Sequence, residues 1–205
     1  MENFYQLRAE KQEEIIAAAY KIFSQNPYKR AAIQEIAQAA GLSKGMIFYY
    51  FGSKKNLYLF LVDKSGELLR QVMKQSFDES INDFFERLIM ITEIKVSLIT
   101  HQPDLLTFLK NVYYEKDEEV VNEIRATIAQ GLSNSWQTIT AGADVSRFRD
   151  PQAPELLAKL LTWAGEGAVN DWYEGDDLQA RMQEYIRSIR LLKASFYQEP
   201  ERKRE

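Results

Sequence analysis

Residues 32–55, AIQEIAQAAGLSKGMIFYYFGSKK, constrain the fold more than any other stretch of the chain. Ile33, Ile36, Ala37 and Ala40 fall at i, i+3, i+4 and i+7, one face of a helical period, so a short helix is expected. Gly41 supplies the left-handed residue that a Cβ would oppose. Leu42 can fill the angle between two helices, and Ser43 suits the N-cap of the next. That second helix runs only from Lys44 to about Tyr50 before Gly52 stops it. Helical spacing turns Ile47 and Phe51 inward, while Lys44, Gly45, Phe48 and Tyr49 share the opposite face. A short helix that shows a lysine, a glycine and two rings to the outside is a poor core element and a good probe for a groove. This is helix-turn-helix geometry, whose second helix enters the DNA major groove.

Charge is distributed as such a reading requires. The net charge of −4 divides into +3 over residues 1–60, with eight Lys/Arg against five Asp/Glu, and −7 over the rest, with 18 against 25. A basic module on an acidic body follows. The apolar fraction of 45% suffices for a core, and no run approaches the roughly 18 apolar residues of a membrane span. MENFYQLRAEKQEE is charged and lacks the apolar centre of a signal peptide. With no cysteine there is no disulfide or thiolate chemistry, which fits a cytoplasmic protein. Glycines and prolines gather at breaks between periodic segments, so an all-α fold is expected.

The segment IAQAAGLSKGMIFYYFGSKKNLYLFL resembles the N-terminal domain of TetR-type bacterial transcriptional regulators, over roughly the first 60 residues. Turn, cap, aromatic triplet and following lysine keep the expected order. The resemblance implies a three-helix helix-turn-helix DNA-binding domain over 1–52, a connecting helix over 53–77, and a helical ligand-binding and dimerisation bundle over 78–198. It also implies a homodimer on a palindromic double-stranded operator, a small-molecule effector, and no cofactor. By the same resemblance Lys54 matches a phosphate-binding position, and Tyr49 and Tyr50 match positions that pack on sugar and phosphate. Phe48 stands where the family most often has tyrosine, and Ala31-Ala32 where it usually has a threonine cap. Losing such a cap costs about 1 kcal/mol. Lys29 and Arg30, in the loop before the motif, are either solvated or phosphate contacts, as is Lys55 in the first turn after Ser53. Ser43 and Gly45 complete the expected DNA-binding set.

The flanking helices follow from period and punctuation. One is expected from about Arg8 to Ser24, with Ile15, Ile16, Ala19, Ile22 and Phe23 inward. A long helix begins at Ser53 and ends near Phe77, and an almost wholly apolar one spans about Ser80 to Thr100. Shorter segments follow from Asp104 to Tyr114 and from about Asp117, and residues 140–154 read as a linker. The last two helices, about Glu155 to Tyr173 and Asp177 to Phe196, carry the expected dimer seam: Leu160, Ala164, Ala168, Trp172, Met182, Tyr185, Ile189 and Phe196. Residues 199–205 are expected to be a disordered tail.

The body is rich in rings, read either as plain core or as the lining of an effector pocket formed by Phe84, Leu88, Lys95, Phe108, Tyr113, Trp136, Trp163 and Glu166. Lys95, amid apolar residues, either snorkels to the surface or meets a buried acid or a ligand anion. Against an enzyme stands the lack of any catalytic constellation, and the single histidine, His101, argues against a metal site. A DNA-binding regulator whose body answers to a protein partner, or a helical binding protein without DNA, are the rival readings.

Overall fold

Apolar residues three and four apart wind the chain into α1 (Glu2–Tyr5), α2 (Ala9–Gln25), α3 (Ile33–Ala39), α4 (Lys44–Phe51), α5 (Lys54–Ser76), α6 (Phe84–Thr100), α7 (Pro103–Tyr114), α8 (Val121–Thr140), α9 (Ala153–Asn170) and α10 (Leu178–Phe196). The computed structural model describes residues 1–170 and 177–198, without the side chains of 99, 103, 162, 165–170 and 178. The fold is all-α, as the spacing predicts, and the described residues contain one isolated antiparallel bridge, between Phe148 and Tyr197. The helix expected from Ser80 starts later, at Phe84, because the carboxylate of Asp83 accepts the amides of Phe85 and Glu86 at 3.0 and 3.1 Å and caps it there.

The chain forms two compact units, and α5, α6 and α8 each belong in part to both. The first holds residues 1–71 and 98–131. Its core joins Ile15, Ala19 and Phe23 of α2, Ile36 of α3, Ile47 and Phe51 of α4, and Leu57, Tyr58 and Leu61 of α5 to Phe108 and Val112 of α7 and Ile124 of α8. The rings of Phe23, Tyr58 and Phe108 meet edge to face, Phe23–Tyr58 at 4.8 Å and Tyr58–Phe108 at 5.4 Å. Asn111 of α7 donates to the carbonyls of Phe23 and Ser24, which the end of α2 would otherwise leave open. Residues 98–131, grouped by role with the body, therefore pack with the helix-turn-helix.

The start of the chain has a structural task that its charged reading missed. Phe4 of α1 is fully buried against Phe51 and Phe60, at 4.9 and 5.3 Å.

The second unit takes residues 72–97 and those from 132 onward. Phe84, Phe85, Leu88 and Ile91 of α6 pack with Ile139, Leu157, Leu161, Ile186 and Ile189. The connection 140–154 is no open linker: Phe148 is buried in this core, bridged to Tyr197 through Gln198 N to Arg147 O, 2.8 Å. Asp83 ties the unit together, pairing with Arg147 at 2.6 Å and Lys193 at 3.0 Å. Burial pushes its carboxyl up, but the Lys193 and Glu86 hydrogen bonds and the Arg147 charge hold it below the usual range. The buried Arg87 donates instead to carbonyls, Ile81 O at 2.5 Å and Thr138 O at 2.8 Å, fastening α6 to its own entry loop and to the end of α8.

Candidate nucleic-acid interface

The corner between α3 and α4 is built as the sequence prescribes. Gly41 takes φ 62°, and Leu42 N donates to Ala37 O at 2.8 Å, closing the end of α3. Lys11 of α2 adds a hydrogen bond to Ala40 O at 2.7 Å. At its start α3 has no side-chain cap on Ala32, as the missing threonine predicts. Ser43 accepts the Met46 amide at 3.3 Å and begins α4. Gly52, at φ 77°, ends α4, and Ser53 accepts the Asn56 amide at 3.0 Å to begin α5.

α4 has one buried and one open face. Ile47 and Phe51 are buried, and Ser43, Lys44, Gly45, Phe48 and Tyr49 are exposed, Tyr49 to 62%. Lys44 Nζ stands 5.7 Å over the Phe48 ring. A Cβ on Gly45 would come no nearer to a neighbour than 3.8 Å, so the fold itself does not demand glycine there. Tyr50 is a correction to the expected interface. It is 6% exposed and packs against Phe4 at 6.5 Å, because α1 covers this residue and leaves the Lys44–Tyr49 face open.

Basic groups flank this face. Lys29 and Arg30 are exposed in the loop before α3. Lys54 Nζ donates to Lys29 O at 3.2 Å and lies 4.7 Å from the Tyr28 ring centre, so loop and helix start form one basic edge. Burial lowers the Lys54 ammonium pKa, opposed by the charges of Glu119, Asp117 and Glu115. Glu115 also accepts the Tyr28 amide at 2.9 Å. Lys55 departs from expectation: its ammonium pairs with Glu123 of α8 at 2.6 Å.

The expected effector residues belong to both units. Phe84 and Leu88 lie in the core of the second unit, with Trp136 stacked on Phe84 at 6.5 Å. Phe108 belongs to the core of the first unit, and Tyr113 meets Tyr114 edge to face. Trp163 is 62% exposed, and the side chain of Glu166 lies outside the described residues. Lys95 is partly buried; among the described residues its hydrogen bond goes to Ser135 Oγ at 3.2 Å, and burial lowers its pKa. A cleft of about 240 Å³ opens elsewhere, beside Met1, Tyr5, Leu59 and Asp63, and shares no residue with the expected set.

The expected dimer seam needs a similar correction. Ile189 is completely buried within its own unit, and Met182, Tyr185 and Phe196 pack on the same core. Leu160 and Ala164 are exposed, whereas Ala168 and Trp172 lie outside the described side chains, as does the tail 199–205. Heptad spacing cannot tell a seam that meets a second copy from one that meets the helix's own bundle.

Among the described residues no helix is long and apolar enough to cross a membrane. The family described as bacterial regulatory proteins, tetR family, matches residues 15–60, which include α3, α4 and the start of α5. The HTH-type transcriptional regulator HbdR of Aromatoleum sp. is 42% identical over 173 residues, 80% of this chain and 71% of that protein. The HTH-type transcriptional repressor AcnR of Corynebacterium glutamicum is 31% identical over 64 residues, 31% of this chain and only 34% of that protein. In fold, the chain resembles the Bacillus subtilis regulator FadR solved in complex with stearoyl-CoA, with a TM-score of 0.72, 20% identity, and coverage of 86% of this chain and 96% of that one. The helix-turn-helix geometry and the extended likeness to HbdR lead to one conclusion: the chain belongs to the TetR family of bacterial regulatory proteins.

Proposed function

We propose that the protein is a cytoplasmic, homodimeric transcriptional repressor that binds a palindromic operator through α4 and leaves it when a small lipophilic anion binds the second unit. The observation that carries the DNA reading is the open face of α4, where Lys44, Phe48 and Tyr49 stand free of the core beside the basic edge of Lys29, Arg30 and Lys54. Lys44 and Phe48 suit base edges: an ammonium for guanine acceptors, an apolar ring for a thymine methyl. Tyr49, Lys29, Arg30 and Lys54 suit sugar and phosphate. Ser43 and Gly45, at the start of α4, leave room for close approach of the DNA backbone. Division by role then runs 1–52 for DNA, 53–77 for the connecting helix and 78–198 for ligand and dimer contacts.

The dimer face is assigned to α9. Leu157 and Leu161 turn into the core, while Leu156, Leu160 and Trp163, at i, i+4 and i+7, turn outward as a second apolar stripe. A two-fold contact along it would bury the same residues from both copies. Two recognition helices then read half-sites about 34–36 Å apart. A ligand that favours another separation weakens operator binding by linkage, typically about 1–3 kcal/mol.

Lys95 supports the choice of an anion. Among the described residues its ammonium sits on an apolar helix with the Ser135 hydroxyl as hydrogen-bond partner, and a ligand carboxylate or phosphate would supply an opposite charge. The structural likeness to FadR with stearoyl-CoA, a lipophilic anion, points the same way. Replacing Lys95 with Met should remove a desolvated charge and stabilise the free protein by on the order of 1 kcal/mol. The same variant should bind operator normally yet no longer be released by long-chain acyl-CoA. Thermal melting and operator anisotropy during an acyl-CoA titration check both halves. Release of the Lys95→Met protein at wild-type acyl-CoA concentrations would remove Lys95 from the effector site. A wild-type protein that stays on its operator in saturating acyl-CoA would remove the ligand class.

A further inference from the structure

The corner between α7 and α8 carries a dense set of acids beside the basic edge proposed to meet DNA. Residues 98–131 hold six Asp/Glu against three Lys/Arg, which cancels the +3 of residues 1–71. Three observations tie these acids to the DNA-binding side. Glu115 accepts the Tyr28 amide at 2.9 Å and, through its other oxygen, the amides of Lys116 and Asp117, so the corner is latched to the loop that presents Lys29 and Arg30. The charges of Glu119, Asp117 and Glu115 act on Lys54. Glu123, in the first turn of α8, pairs with Lys55 at 2.6 Å, although both side chains remain partly open to solvent.

We infer that Glu123 is a positioning residue for operator binding: it holds Lys55 in reserve and gives it up to a DNA phosphate when the operator is engaged. The exchange rests on the DNA-binding reading above and adds to it a cost that the chain carries within itself. Lys55 follows Lys54 in the first turn of α5, where open amides and two ammonium groups favour a phosphate. A solvent-exposed ion pair is weak enough to be traded for a contact of the same kind. A phosphate on the axis of a helix N-terminus adds the helix dipole to the lysine charge, which Glu123, reaching across from α8, does not. Glu123 therefore tempers affinity for all DNA, leaving sequence preference to α4.

The test is a double-mutant cycle of Glu123→Gln and Lys55→Ala, read as operator and random-duplex affinity between about 0.05 and 0.3 M salt, over which the Debye length falls from about 14 to about 6 Å. Glu123→Gln in the wild-type background should raise affinity for both duplexes about tenfold at low salt. The log–log salt slope should stay close to that of wild type, because Lys55 meets phosphate in both proteins, whereas Lys55→Ala should lower it by about 0.9 per subunit. In the Lys55→Ala background the same substitution should change affinity little, because the lysine that Glu123 competes for is gone. Equal effects in the two backgrounds would show only long-range repulsion and would overturn the exchange. A Lys55→Ala slope equal to that of wild type would overturn it as well. Wild-type protein that binds neither duplex would instead defeat the DNA-binding reading itself, so the two failures are separate.

Discussion

Replacing Leu160 with arginine should yield a folded monomer that has lost most of its operator affinity. Leu160 is 41% exposed at the centre of the outward stripe of α9, so a guanidinium there meets water in the isolated subunit and costs the fold little. In a two-fold dimer it would meet its own symmetry mate across an apolar seam, and two unpaired charges would be buried together. A monomer reads one half-site and forfeits the second, intramolecular contact, a loss on the order of 10²–10⁴ in affinity. Ile189 provides the contrast. It is fully buried inside its own unit, so Ile189→Arg should unfold that unit, at a cost above about 4 kcal/mol, instead of releasing intact monomers. Sedimentation and circular dichroism of the two variants distinguish the cases. A dimeric Leu160→Arg protein, or a folded Ile189→Arg protein, would contradict the assignment of the seam to α9.

Lys54→Ala should weaken binding to every DNA sequence alike. Its ammonium completes the basic edge with Lys29 and lies at the N-terminus of α5, where a phosphate would meet both a cation and open amides. Loss of one phosphate contact per subunit lowers the log–log salt slope of a dimer by about 1.8, or on the order of 50-fold in affinity at 0.1 M salt. Lys44→Ala should behave differently, altering which operator is preferred more than how steeply salt competes. A Lys54→Ala slope equal to that of wild type would mean that this ammonium stays on the Tyr28–Lys29 loop when DNA is bound.

Local features of the chain were legible from the sequence because they depend on neighbours only a few residues apart. Gly41, Ser43, Gly52 and Ser53 take the turn and cap roles that their chemistry dictates. The inward turn of Ile47 and Phe51 likewise follows from helical spacing. What was not legible depends on distant partners. Tyr50 looks outward by analogy and is buried because Phe4, 46 residues earlier, closes over it. Here the exposed-looking MENFYQLR conceals one core ring among charges. The ion pair of Lys55 was not legible either, since Glu123, 68 residues later, reaches it only when α8 packs beside α5. The rings assigned to one pocket are shared between two cores because spacing shows that a ring is turned inward, and never toward which neighbour. Ile189 shows the same limit: helical spacing places it on an apolar stripe, and only the fold shows that the stripe meets its own unit.

The most direct measurement is selection of bound sequences from a random duplex pool by the wild-type protein and by Phe48→Ala, with the enriched sites read out. The wild type should enrich an inverted repeat whose half-sites are centred about one helical turn, roughly 34–36 Å, apart. Phe48→Ala should enrich a repeat of the same spacing with altered preference inside each half-site if, as proposed, the exposed ring of α4 meets base edges while the dimer sets the distance. Enrichment of a site without two-fold symmetry, or of an identical site by both proteins, would contradict the account.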